Sequence, residues 1–289
     1  MASLISFKKI EQGALLQLIL LHCLYSQSGS DLIVFQGGTA LRWVYGGQRA
    51  SEDLDFVFAG HENRLLKIME GTFRLARSLA TAQFGPGSFE QKPVQTSQAL
   101  LRTYGIFRPE NQRERVAVRI EVEELRPGVS LESRKIAFMD CPPIFGVMRG
   151  GSFALPFSSS IFNAETPAEI LTDKLRALFE RPYLKGRDLY DLWFLHTMLG
   201  ARTDLIRLKQ KLNAYVRPFR PARKATFFLQ EQTRSILRQT LESDLRPFLP
   251  SAVYRELEAT NFAVIFHVLN EILPPLIEEG LEELIHPNG

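Results

Sequence analysis

Two carboxylates one residue apart are the side chains in this sequence best suited to bind a metal ion. Asp53 and Asp55 come directly before an apolar stretch at 56–58. Side chains alternate along a strand, so both carboxylates point to one face and Leu54 to the other. Neighbouring carboxylates repel each other unless a cation lies between them, and Mg²⁺ with a nucleotide phosphate is the usual occupant. The pair therefore predicts a Mg²⁺ site, with Mn²⁺ as the alternative.

A glycine-rich turn lies about fifteen residues before this pair. Gly37, Gly38 and Thr39 follow the apolar run 32–35 and precede a helical pattern. Two glycines let the backbone turn sharply and approach a ligand closely. We expect Thr39 to cap the helix, whose first amides suit a phosphate. Alone, each motif is an ordinary turn or a solvated strand edge, but their order and spacing favour a joint site.

The elements that position these motifs follow from periodicity. The pattern at 116–123 alternates cleanly, which predicts a strand with Val116, Val118, Ile120 and Val122 towards the core. Ala117, Arg119, Glu121 and Glu123 then face the other way. The remaining expectations are helices at 10–25 and 61–84, strands at 32–35, 100–107, 135–139 and 153–157, and a polar loop at 158–163.

The second half of the chain has a helical pattern. Thr166 followed by Pro167 predicts a helix start, and Leu171, Leu175 and Leu178 form the buried stripe of that helix. Lys174 lies off this stripe. Further helices are expected from residue 187 and at 204–215, 222–241, 252–257 and 262–272, separated by prolines.

Two acids at the start of the next helix also share a face. Asp188 and Asp191 are three residues apart, which brings their side chains together on a helix. Acids in a first turn are also the ordinary complement of a helix dipole. Both interpretations remain open at this point.

Four groups of residues, in order along the chain, resemble the motifs of the AbiEii/AbiGii toxin family of nucleotidyltransferases, a branch of the DNA polymerase β-like superfamily. They span roughly residues 35–195. They are Gly37-Gly38-Thr39-Ala40-Leu41; Arg49-x-Ser51-x-Asp53-Leu54-Asp55-Phe56; Asp173-Lys174-Leu175-x-Ala177-Leu178 with Arg181; and Arg187-Asp188-Leu189-Tyr190-Asp191-Leu192.

The resemblance implies an architecture. It is an α+β fold with a nucleotidyltransferase-type mixed sheet flanked by helices and a mostly helical C-terminal half. Residues 1–160 would be the nucleotidyltransferase core. Residues 161–289 would be a helical domain that completes the active site.

The resemblance also assigns roles to residues. Asp53 and Asp55 would hold the metal with a third carboxylate, Glu121, which we prefer to Glu123 because Ile-Glu-Val looks like the family pattern. Glu121 would be either a metal ligand or the base for the acceptor. Asp188 or Asp191 would orient Lys174 or help to deprotonate the acceptor. The residues expected to contact the nucleotide are Gly37, Gly38, Thr39, Arg49, Ser51 and Lys174.

The implied activity is transfer of a nucleoside monophosphate from an NTP to an acceptor hydroxyl. The acceptor would be RNA, at the 3′ end of tRNA, and the protein would be the toxin of a type IV-like toxin–antitoxin pair with a cognate antitoxin. One alternative is a transferase acting on a small molecule, as antibiotic-modifying relatives do. Another is a nucleotide-binding regulator without transfer activity, against which the intact Asp pair and Lys174 argue.

Composition sets the remaining bounds. The chain has 289 residues, 45% hydrophobic and 23% charged, as in ordinary globular proteins. Its two cysteines support neither a disulfide framework nor a zinc site. No apolar run reaches the roughly twenty residues that span a bilayer, and the N-terminus is unlike a signal peptide, so we expect a cytoplasmic protein without a membrane partner. Residues 201–246 contain 11 Lys and Arg against 4 Asp and Glu, which suits either a polyanion or a solvated helix face.

Overall fold

The computed structural model describes residues 2–97, 99–110, 114–151 and 160–286. They divide into two compact units, Met1–Glu165 and Thr166–Gly289. The described strands all belong to the first unit: β1 (Ile33–Gln36), β2 (Asp53–Phe58), β3 (Gly87–Ser97), β4 (Leu100–Pro109), β5 (Val116–Glu124), β6 (Ser133–Ala137) and β7 (Ile161–Glu165). Its helices are α1 (Ala2–Tyr25), α2 (Gly37–Trp43), α3 (Glu62–Phe84) and α4 (Pro142–Arg149).

The seven strands form one mixed sheet in the order β3-β4-β5-β2-β1-β7-β6. β2 pairs in parallel with β5 and antiparallel with β1, while β1 pairs in parallel with β7. The remaining pairs are antiparallel. The predicted α+β class with a mixed sheet is confirmed.

The two faces at the centre of the sheet differ in chemistry. On one face Leu54 pairs with Ile120, and both are fully buried. Gly105 of β4 pairs with Val118 of β5. Because Gly105 has no side chain, Leu20 of α1 and Phe73 of α3 have room on this face. Helices α1 and α3 therefore cover the apolar face. The other face carries charged side chains, which include Asp53, Asp55 and Glu121.

The last strand of the sheet departs from the expected loop at 158–163. Ile161–Glu165 is strand β7, which pairs with β1 through Phe35 and Ala164 and with β6 on its other side. The loop prediction was wrong from Ile161 onwards, because two long-range pairings, with Phe162 and Ala164 buried, outweigh a weak local pattern. The expected strand at 153–157 lies outside the described residues.

The second unit is helical in its described residues. Its helices are α5 (Pro167–Glu180), α6 (Gly186–Trp193), α7 (Leu205–Leu212), α8 (Arg234–Leu245), α9 (Ser251–Ala259), α10 (Ala263–Glu278) and α11 (Leu281–Ile285). A π-helical turn, Phe194–Met198, follows α6. The Thr166 hydroxyl accepts a hydrogen bond from the Glu169 amide and caps α5, which confirms the predicted helix start.

Two helix predictions in this unit were wrong. The stretch 222–241 is not one helix but two 3₁₀ turns, Ala225–Leu229 and Glu231–Thr233, followed by α8. The amides of Ala222 and Arg223 bind the Phe179 carbonyl, so this backbone is committed to the end of α5. Helix α10 was expected to end near residue 272 but continues through two prolines near its C-terminus.

No single described helix is long and apolar enough to cross a membrane. Helices α9 and α10 meet the criteria of length and composition only together, and they are bent by 71°. The apolar segment Ile10–Tyr25 of α1 is shorter than a span.

Candidate active site

The Gly-Gly-Thr motif forms the junction between β1 and α2. Gly37 has a φ of 77°, a conformation in which a side chain is strained. Helix α2 starts at Gly37 with Gln36 as its N-cap, so the prediction that Thr39 caps the helix was wrong. The Thr39 hydroxyl instead donates to the Asp53 backbone carbonyl. The first motif is therefore tied directly to the second.

Close approach explains both glycines. A Cβ on Gly37 would lie 2.8 Å from a carboxylate oxygen of Asp55. A Cβ on Gly38 would meet the Arg49 guanidinium and lie 3.4 Å from the Ser51 hydroxyl. Five of the residues predicted from the sequence thus lie together at this turn. They can lie this close together because Gly37 and Gly38 have no side chains.

Arg49 is held firmly beside this turn. Its side chain is buried, and a guanidinium nitrogen donates to the Ala50 carbonyl at 2.9 Å. Gln17 of α1, which no motif includes, donates to the Ser51 carbonyl at 2.8 Å and accepts from the Trp43 indole at 3.1 Å. Gln17 therefore fixes the loop between the two motifs relative to α2.

The face of the sheet with Asp53, Asp55 and Glu121 is termed the carboxylate face. The parallel register of β2 and β5 sets Asp55 opposite Glu121, whereas Glu123 lies opposite Val57. Side chains of paired residues point the same way, so Glu121 rather than Glu123 is next to the Asp pair. The expected alternation of both strands is confirmed by their burial. The role of Glu121 stays a prediction.

Two arginines on this face were not among the predicted site residues. Both oxygens of Asp53 accept hydrogen bonds from Arg119, one of them at 3.1 Å. Arg119 also lies 3.3 Å from Glu121, and Arg102 of β4 lies 3.0 Å from the same Glu121 oxygen. Alternation placed Arg119 on this face, but nothing local indicated Arg102, whose position depends on the pairing of β4 with β5.

In the second unit, α5 and α6 bring together the other predicted residues. The Lys174 ammonium lies 2.9 Å from Asp188 and 2.7 Å from Asp191, and all three side chains are buried. Arg181 pairs with the second oxygen of Asp188. Burial alone would raise the pKa of Asp188, but the charges of Lys174, Arg181 and Lys185 outweigh burial and hold this pKa well below its usual range. Both acids thus contact the Lys174 ammonium, and their role in the reaction stays a prediction.

Arg223 supports the end of α5 next to this cluster. Its guanidinium donates to the carbonyls of Leu178, Arg181 and Pro182 at 3.1, 2.7 and 3.1 Å. A cation at a helix C-terminus satisfies carbonyls that lack partners within the helix. Arg223 therefore holds the backbone that carries Arg181, and it is not a freely solvated charge.

Lys185 leads to a prediction about pH. Burial lowers the pKa of Lys185 from its usual 10.5 to about 8; the charge of Asp188 opposes this shift, and nearby cations add to it. The protonated form of Lys185 therefore lowers the free energy of unfolding below about pH 8. This destabilisation disappears as the pH rises towards about 10, where Lys185 is neutral in the folded state. We expect Lys185→Met to be more stable than the wild type by the widest margin at pH 7. Urea unfolding at pH 7 and at about pH 10 measures this margin, and an equal margin at both would contradict the explanation.

The fold and the carboxylate face are those expected of a nucleotidyltransferase. A family model described as nucleotidyl transferase AbiEii toxin, type IV TA system, matches residues 19–264. The chain belongs to this AbiEii family and is a nucleotidyltransferase. The resemblance inferred from the four motifs is confirmed.

Solved structures share the fold at low sequence identity. One is the crystal structure of JHP933 from Helicobacter pylori, which is 18% identical with a TM-score of 0.53, over 97% of this chain and 96% of that one. Another is the crystal structure of a candidate nucleotidyltransferase from H. pylori, 18% identical with a TM-score of 0.52, over 92% and 96% of the two chains. No curated protein matches this chain.

Proposed function

We propose that this protein transfers a nucleoside monophosphate from an NTP to a hydroxyl of RNA, at the 3′ end of tRNA, and that a cognate antitoxin opposes it in the cell. The observation that carries the chemistry is the carboxylate face, where Asp53, Asp55 and Glu121 are brought together by strand register. Membership of a family of nucleotidyltransferase toxins supports the biological role.

The donor set of the carboxylate face fits Mg²⁺ by its chemistry. Three carboxylates offer only hard oxygen ligands, which Mg²⁺ prefers. As arranged here, no group of three or more His, Cys, Asp or Glu in the described parts of the chain forms a metal site, and Arg119 engages Asp53. We assign the ion to Asp53, Asp55 and Glu121. When bound, it would neutralise charge on the triphosphate and on the leaving pyrophosphate.

The remaining site residues would bind the nucleotide and orient the reaction. Arg49, buried beside Gly38, and Lys174 contribute cations to the triphosphate. The acceptor oxygen forms a bond to the α-phosphorus as the bond from this phosphorus to the bridging oxygen breaks. Pyrophosphate leaves with the electron pair, and the hydroxyl proton passes to a carboxylate oxygen of the carboxylate face.

The test is incubation with each labelled NTP, Mg²⁺ and total RNA from the host, beside a reaction with small hydroxyl compounds in place of RNA. Label on tRNA supports the proposal. Label only on a small molecule or on the protein itself would contradict RNA as the acceptor but would still support nucleotidyl transfer. Absence of label from all of these, with every NTP, would contradict the proposed transfer.

Some cations of the basic segment 201–246 are engaged within the protein and are not available to bind RNA. Lys211 is buried between Glu169 and Asp173, Arg207 pairs with Glu169, and Arg223 caps α5. The exposed cations in the loop between α7 and α8 are Arg217, Arg220 and Lys224. We choose these three as the candidates for contact with RNA phosphates, because they are exposed and close together in one loop.

Reversing Arg217, Arg220 and Lys224 to glutamate should cut RNA modification and spare NTP binding. Three lost phosphate contacts should lower the salt slope of RNA binding by about 2. RNA binding at several salt concentrations, with NTP affinity measured in parallel, checks this. The matched control reverses three exposed cations of α3, Lys67, Arg74 and Arg77. An unchanged rate and slope in the loop variant would place the acceptor elsewhere.

A further inference from the structure

Charged side chains alternate across three strands on the carboxylate face. Register sets Arg102 of β4 opposite Glu121 of β5, and it sets Arg119 of β5 opposite Asp53 of β2. Arg119 contacts both Asp53 and Glu121, so a continuous line of ion pairs joins Arg102, Glu121, Arg119 and Asp53. This line includes two of the three residues assigned to the metal.

Arg119 has the strongest ties to these carboxylates. Its guanidinium donates hydrogen bonds to both carboxylate oxygens of Asp53 and lies 3.3 Å from Glu121. The side chain nevertheless keeps 36% of its surface exposed. A guanidinium that is both strongly attracted and partly exposed can be exchanged against another cation without unfolding the strand.

We propose that Arg119 competes with the divalent cation for Asp53 and, once displaced, binds a phosphate of the incoming nucleotide. The planar guanidinium fork fits phosphate as well as it fits carboxylate. A divalent ion bound to these carboxylates adds two positive charges to the face, which favours binding of an anionic triphosphate. Metal and nucleotide would therefore bind cooperatively. This inference rests on the proposed function and adds a nucleotide-binding residue to it.

The pairing of Arg108 with Glu90 provides an internal comparison. It also joins an arginine to a carboxylate on this sheet, between β3 and β4, but both side chains are about half exposed and a single Glu90 oxygen is engaged at 2.9 Å. It contains none of the predicted site residues. By alternation along β4, Arg108 lies on the same face of the sheet as Arg102. Losing this pair removes a surface ion pair from that face but no contact to Asp53, Asp55 or Glu121.

The experiment is a titration of the full chain with Mn²⁺ as the probe, with and without a non-hydrolysable NTP analogue. In the wild type, the analogue should tighten Mn²⁺ binding. In Arg119→Gln, Mn²⁺ alone should bind about threefold to tenfold more tightly, because its competitor is gone, while the analogue should bind more weakly and the cooperativity should shrink. Arg108→Gln should behave as the wild type.

The outcomes separate this inference from the proposed function. Arg119→Lys keeps the charge but loses the fork, so it should restore the competition in part, and it decides the question if Arg119→Gln fails to fold. The wild type could show cooperativity while the Arg119 variants bind Mn²⁺ no more tightly than the wild type does. That result would overturn the inference but not the proposed function. A wild type that binds no Mn²⁺, with or without the analogue, would overturn the metal site and the inference together.

Discussion

Asp55→Asn is expected to reduce nucleotidyl transfer at least about a thousandfold. The proposed ion contributes several kcal/mol to the stabilisation of the reacting phosphates, and each 1.4 kcal/mol is roughly tenfold in rate. Asp55 is adjacent to Glu121 in the sheet and touches the turn at Gly37. The amide has the same shape as the carboxylate, but it lacks the charge that would hold the proposed ion.

The fold should survive this substitution. Asparagine removes one of three neighbouring negative charges, so repulsion in the metal-free protein falls. We expect the unfolding midpoint of Asp55→Asn to stay within a few degrees of the wild type. Transfer of label from NTP to RNA in Mg²⁺ and thermal unfolding, measured on the same samples, check both halves of the prediction.

The control removes an equal charge from the same sheet. Glu90→Gln neutralises a half-exposed carboxylate between β3 and β4 and should transfer at the wild-type rate. Full transfer by Asp55→Asn would show that the metal is held elsewhere. Equal losses in Asp55→Asn and Glu90→Gln would show that the charge of the sheet matters, and not this position.

The carboxylate face was predictable because strand periodicity is a local property. Leu54 and Phe56 are buried and alternate with Asp53 and Asp55, so they define which way these carboxylates point, and the same alternation applies to Glu121. Periodicity alone cannot separate Glu121 from Glu123, because both share a face. Only the register of β2 against β5, a contact between distant parts of the chain, sets Glu121 beside Asp55.

The supporting residues were not predictable for the same physical reason. Gln17, Arg102 and Arg223 act on atoms 34, 19 and 41 to 45 residues away in the chain. Nothing in their immediate sequence distinguishes them from ordinary polar residues. Thr39 shows the converse error: its local context favoured a helix cap, but a carbonyl of β2 is a nearer partner for its hydroxyl.

For Lys174, the sequence pattern predicts the position on helix α5 but not the burial of the side chain. Lys174 lies off the leucine stripe of α5, as the sequence pattern predicts. The side chain is nevertheless only 11% exposed, and it separates two buried carboxylates. Helix α6 supplies this second burying surface, and the periodicity of α5 contains no information about it.

Lys174→Ala is therefore expected to destabilise the protein by about 3–5 kcal/mol. Removing one partner of a buried ion pair leaves an uncompensated buried charge, which has effects of this size. Asp188 keeps Arg181 as a partner, which should offset part of this penalty. Loss of nucleotide binding in this variant would then say little about contact between Lys174 and the nucleotide.

A paired substitution separates the two roles of Lys174. Lys174→Met combined with Asp191→Asn removes both charges at once and should recover much of the stability lost in either single variant, giving a coupling energy of about 2–3 kcal/mol in urea unfolding. The same cycle on the exposed pair Arg238 and Glu242 of α8 should give less than about 1 kcal/mol. If the stable double variant binds NTP as the wild type does, Lys174 acts only within its own unit. If its affinity falls while its stability is restored, the ammonium binds the triphosphate.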